Sequence, residues 1–95
     1  MAKWRRVGVP FEFTTASHPE GVDVGWTWRI EGEAARYRQM RVIVTARSPG
    51  GSDPGGESQQ AVRRRGESAL DAYLDEESPP ALILVSSSGQ RRAEP

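Results

Sequence analysis

Apolar and polar residues alternate along much of this chain, and the alternation sorts it into elements. Residues 22–31, VDVGWTWRIE, are the clearest case: Val22, Val24, Trp26, Trp28 and Ile30 fall on one side, Asp23, Gly25, Thr27, Arg29 and Glu31 on the other. A period of two is the mark of a half-buried strand. Residues 36–46 repeat it, with Met40, Val42, Val44 and Ala46 set against Tyr37, Gln39, Arg41, Ile43 and Thr45, and their β-branched residues favour a strand over a helix. Residues 4–14 read as a first strand in which Val7, Val9, Phe11 and Phe13 share a face opposite Arg6, Gly8, Pro10 and Glu12. Pro10 has no amide hydrogen for a ladder, which assigns this strand to an edge. TASHPEG, 15–21, reads as loop, and the short link Glu31–Ala34 makes the three strands an antiparallel meander.

The period changes at residue 58. In SQQAVRRRGESALDAYLDE, 58–76, the residues Val62, Gly66, Ala69, Leu70, Tyr73 and Leu74 fall on one helical stripe behind Ser58 as N-cap. Gly66 in that stripe permits close approach to a sheet, at about 0.8–1 kcal/mol of helix propensity. Ser78-Pro79-Pro80 stops the helix, and the unbroken apolar run ALILV, 81–85, reads as a final strand, buried on both faces or inserted in the sheet. If that strand is parallel to its neighbour, its crossover should be right-handed. The expectation is one small two-layer α+β domain over residues 1–85: an antiparallel three-stranded meander, one helix and a final strand, β-β-β-α-β. SPGGSDPGGE, 48–57, reads as a flexible Gly/Pro loop, and 86–95 as a disordered tail. Trp26 and Trp28 lie side by side on one face, read as packing at the centre of the core rather than as a ligand-stacking pair.

Composition narrows the function classes. A chain of 95 residues supports one core. Net charge is zero, so no global field draws it to nucleic acid or membrane. There is no cysteine and one histidine, which excludes disulfides and zinc sites of the usual kind. No run approaches the roughly 18 apolar residues of a membrane span, and the basic N-terminus lacks the apolar core of a signal peptide; the expectation is a soluble cytoplasmic protein without membrane contact. His18 reads as a solvated loop residue, and no Gly-x-Ser-x-Gly elbow accompanies it. Asp71, Asp75, Glu76 and Glu77 lack the glycine-turned loop of a calcium site, and the Pro-Gly-Gly triplets lack the Lys-Ser/Thr of a phosphate loop. A non-catalytic protein with no cofactor, no metal and no small-molecule substrate is expected.

Two surfaces remain as candidates. Twelve of the 13 basic residues are arginine, and residues 1–47 carry net charge +3 against −3 in 48–95. Arg6, Arg29, Tyr37 and Arg41 are expected on the sheet face away from the helix, where they suit protein contacts or, alternatively, DNA. On the helix, Arg63, Arg64 and Arg65 precede the acids. That order opposes the macrodipole, so these charges are either tolerated or face a partner, the helix's own copy included. Arg6, Arg29, Tyr37, Arg41, Arg63 and Arg64 are therefore the candidate partner- or nucleic-acid-binding residues of a small binding or accessory module.

Overall fold

The two alternating stretches at mid-chain form neighbouring antiparallel strands in the computed structural model, which describes residues 3–19, 21–47 and 57–95. The Gly/Pro loop expected at 48–57 lies outside these residues except for Glu57. In chain order the elements are β1 (Arg5–His18), β2 (Gly21–Glu31), β3 (Tyr37–Arg47), α1 (Gln59–Asp71), β4 (Leu82–Val85) and β5 (Arg91–Glu94). One sheet of order β1-β2-β3-β4-β5 results, antiparallel throughout except for the β3–β4 pair that α1 connects. The fold is α+β as the pattern predicts, with five strands where four are expected.

Helix α1 covers one face of the sheet. Trp26, Trp28, Ile30, Met40, Val42, Val44, Ile83 and Val85 from the strands are buried beneath Val62, Ala69, Leu70 and, just past the helix, Leu74. The two tryptophan rings stand 5.9 Å apart, tilted by 40°, an arrangement within the favourable range for aromatic pairs. Gly66 rests on them: a Cβ there would come within 3.2 Å of Trp28 Cη2 and 3.4 Å of Val44 Cγ2. The stripe glycine is thus where helix and sheet touch. Ser58 Oγ accepts the Ala61 N–H at 3.1 Å and caps the helix. The helix proper ends at Asp71, short of the 58–76 pattern, and continues as tighter turns in which Tyr73, Leu74 and Glu76 bond three residues back.

Four expectations are corrected. The strand at 4–14 runs on to His18, through most of the stretch read as loop. Its apolar side faces away from the helix: Val7, Phe11 and Phe13 pair with Arg29, Thr27 and Gly25 on the uncovered face, and Arg6 pairs with Ile30 on the helix side. Which face a strand buries depends on its register against the next strand, and here the helix side of β1 receives charge from α1. Trp4, read as the start of that strand, is a core residue at 2% exposure; its backbone N–H bonds Leu74 C=O at 3.0 Å. Finally, part of the expected tail is ordered as β5. Ser86 and Gly89 close a hairpin from β4, with Gly89 at φ +91° and Ser86 Oγ accepting the Gln90 N–H.

The β2–β3 turn carries two alanines at positive φ, Ala34 (59°) and Ala35 (55°), closed by the Arg36 N–H on Glu33 C=O at 3.3 Å. Two successive left-handed residues match the strand twist, but each costs an L-residue about 1 kcal/mol. Gly32 before them lies against the Trp4 ring, where a Cβ would come within 2.9 Å, so the turn is held from outside. Ala35→Gly is expected to raise the thermal midpoint by about 4–8 °C, the equivalent of about 1 kcal/mol in a domain this size; an unchanged or lower midpoint in a melt followed by circular dichroism would show that the turn carries no such strain.

Candidate functional site

The face of the sheet that α1 does not cover is built from the alternate positions of all five strands. Across it run the rows Phe13–Gly25–Ile43–Leu84–Arg92 and Phe11–Thr27–Arg41–Leu82–Glu94. Phe11 is 69% exposed, and Phe13, Ile43, Leu82 and Leu84 are half-buried. The centre of the face is therefore an apolar band of aromatic and aliphatic side chains. Gly25 makes part of it possible: a Cβ there would fall 2.3 Å from Phe13 Cζ, so the ring lies flat across β2 only because that position is bare.

Arginines lie on these rings. The Arg41 guanidinium stands 4.9 Å from the Phe13 ring centroid and that of Arg29 4.1 Å from Tyr37, both within cation–π range. Among the described residues neither has a carboxylate partner. Six other basic groups do have one, among them Arg5 with Glu31 at 2.7 Å, Arg92 with Glu94 at 2.6 Å, and Arg65 with Glu57, whereas Arg36, Arg38, Arg47, Arg64 and Arg91 have none among the described residues either. Lys3 pairs with Glu77 at 2.7 Å, and its hydrogen bond holds the Glu77 carboxyl below the usual carboxylate range. Asp23, on the same open face, is already engaged: it accepts Thr45 Oγ1 at 2.8 Å and lies 3.3 Å from His18 Nε2.

Of the six candidate residues, the structure brings Arg29, Tyr37 and Arg41 together on this face. Arg6 is corrected to the other side, where it pairs with Glu67 and, at 3.1 Å, with Asp71 of α1. Arg63 stands beside it, 3.9 Å from Glu67. These charges border a cleft of about 620 Å³ between β1 and α1, over Trp28 and Leu74, and neutralise one another. Arg64 is exposed on the helix, remote from the others in the hydrogen-bond pattern of the described residues. Part of the helix charge order that opposes the macrodipole has an account: Arg65 and Asp71 make tertiary pairs that local helix energetics does not register. The residues that sequence reading left out of the site are Phe11, Phe13, Ile43, Leu82 and Leu84. A strand apolar on both faces, ALILV, was the available signal for the last two.

Asp23 sits between His18 and Thr45, accepting a hydrogen bond from the Thr45 hydroxyl at 2.8 Å with His18 Nε2 3.3 Å away. Among the described residues no three His, Cys, Asp or Glu side chains stand together as metal ligands, and no helix is long and apolar enough to cross a membrane.

Neither a family model, nor a curated protein, nor a solved structure matches this chain.

Proposed function

We propose that this protein is a non-catalytic binding module that engages a protein partner through its open sheet face. The observation that carries the reading is the band Phe11, Phe13, Ile43 and Leu84 beside Arg29 and Arg41, arginines stacked on rings rather than paired with acids. Aromatic and arginine side chains around a desolvatable centre are the composition of interface hot spots. The sheet's edges are guarded against strand addition, which directs binding to the face. β1 carries Pro10 and two irregularities in its register, at 8–10 and at Thr15; β5 has four residues and is charged. Self-association through the same face belongs to this reading. Nucleic acid is the rival, favoured by Arg29, Tyr37 and Arg41 and opposed by the aliphatic content of the face.

A photo-reactive phenylalanine analogue at position 11, with a second protein carrying it at position 64 as control, tests the proposal in the producing cell. The expected result is a discrete adduct from position 11 that protease removes and nuclease does not, absent from position 64. A nuclease-sensitive adduct would replace this reading with nucleic-acid binding; no adduct, or the same adduct from both positions, would remove the face from consideration.

A further inference from the structure

Resting on that reading, we infer that the partner element is an acidic amphipathic helix of another protein, laid across the open face to make a third layer. Three observations converge on it. First, β3 and β4 form a parallel pair, and β4 is apolar on both sides, with Ile83 and Val85 buried under α1 and Leu82 and Leu84 only half-buried on the other face. A near-continuous apolar run such as Leu82–Val85 is the pattern of a strand covered on both faces, and here one cover is missing among the described residues.

Second, the occupant must supply carboxylates. Covering the face removes Arg29 and Arg41 from water, and a buried guanidinium without an acid is strongly disfavoured. Those two have none among the described residues, whereas the acids on their own face are committed: Glu31 to Arg5, Glu94 to Arg92, and Asp23 to Thr45 and His18. A second copy placed face to face would bring two more such arginines and only committed acids. Phosphates would satisfy the arginines, but would meet Asp23 and leave Ile43, Leu82 and Leu84 without apolar contact.

Third, the occupant must satisfy its own backbone. With both edges guarded, an extended segment lying on the face would leave its N–H and C=O groups unpaired over apolar side chains. A helix meets all of its own. Five strands at about 4.8 Å spacing offer about 20 Å, which roughly 13 helical residues span.

The test uses the full chain, labelled with nitrogen-15, and three probes: two synthetic 15-residue helical peptides with the same Leu/Phe stripe, one flanked by Glu and one by Lys, and a 15-nucleotide oligo-dT. The Glu peptide is expected to shift the amides of Gly25, Thr27, Ile43 and Leu84 while leaving α1 unmoved, and to bind at least about tenfold tighter than the Lys peptide. R29E/R41E should reverse that preference, with R29Q/R41Q intermediate, α1 resonances reporting that each variant is folded. Equal binding of both peptides at the face would overturn the acidic partner yet leave the protein-binding reading standing. Concentration-dependent broadening confined to the face, with doubled mass, would assign it to a second copy and overturn this inference. Shifts from oligo-dT alone, or from none of the probes, would overturn both.

Discussion

Trp28→Ala is expected to cost about 3–5 kcal/mol of folding stability, the range for removing a large aromatic ring from a core. A domain of this size holds about 5–14 kcal/mol in total, so the variant should sit near the margin of folding. The ring is 2% exposed, stacks against Trp26 at 5.9 Å and supports the backbone of α1 at Gly66. Two sides of the ring offer no side chain to fill the space. On the β1 side, Gly8, Val9 and Pro10 bulge past Trp28 without pairing to it, since the register jumps from Val7–Arg29 to Phe11–Thr27. Across the helix, Gly66 has no side chain to advance. Urea unfolding followed by far-ultraviolet circular dichroism measures the effect, with an unchanged slope showing that stability alone has moved. A loss below about 1 kcal/mol would mean that the helix and sheet hold together without this ring.

The second large effect is expected at Arg65. Its guanidinium joins three parts of the chain: Glu57 ahead of the helix, Thr45 C=O at the end of β3 and Ser86 C=O just past β4. Side-chain exposure is 24% for Arg65 and 13% for Glu57, so removing the arginine leaves a carboxylate that water reaches poorly with the Arg47 N–H as its remaining donor. Arg65→Ala should cost about 2–3 kcal/mol, between the value of an exposed pair and that of a fully buried one. Arg65→Lys should recover less than half, because an ammonium cannot reproduce the planar fork that spans two carbonyls and an acid. In a double-mutant cycle with Glu57→Ala, the coupling should be about 1–2 kcal/mol. Additive losses would show that Arg65 acts through the backbone carbonyls and not through Glu57.

Both predictions rest on parts of the fold that differ in how far the sequence reveals them. The faces of β2 and β3, the Trp26–Trp28 centre, the Ser58 cap and the contact of Gly66 with the sheet follow from periodicity, because each is a property of residues two, three or four apart in one segment. For the same reason Arg29, Tyr37 and Arg41 were legible as outward residues: they occupy the opposite phase of strands whose buried phase is unmistakable. Where phase is ambiguous the reading fails. The first strand has apolar residues in one phase and mixed ones in the other, and only its register against β2 turned Val7, Phe11 and Phe13 to the open face and Arg6 to the helix.

The candidate site is therefore half a product of local pattern and half of tertiary structure. Alternation within single strands determined the arginines and the tyrosine. The pairing of strands distant in sequence decided that Phe11 and Phe13 lie beside Ile43, Leu82 and Leu84, and that Arg41 rests on a ring across β2. It also decided β5, four residues with no apolar period of their own that take their order from the hairpin with β4. The physical reason is the range of the interaction. Burial of one face repeats along a strand and marks the sequence at every second residue, whereas register, ion pairing and hairpin closure join residues whose separation leaves no periodic trace.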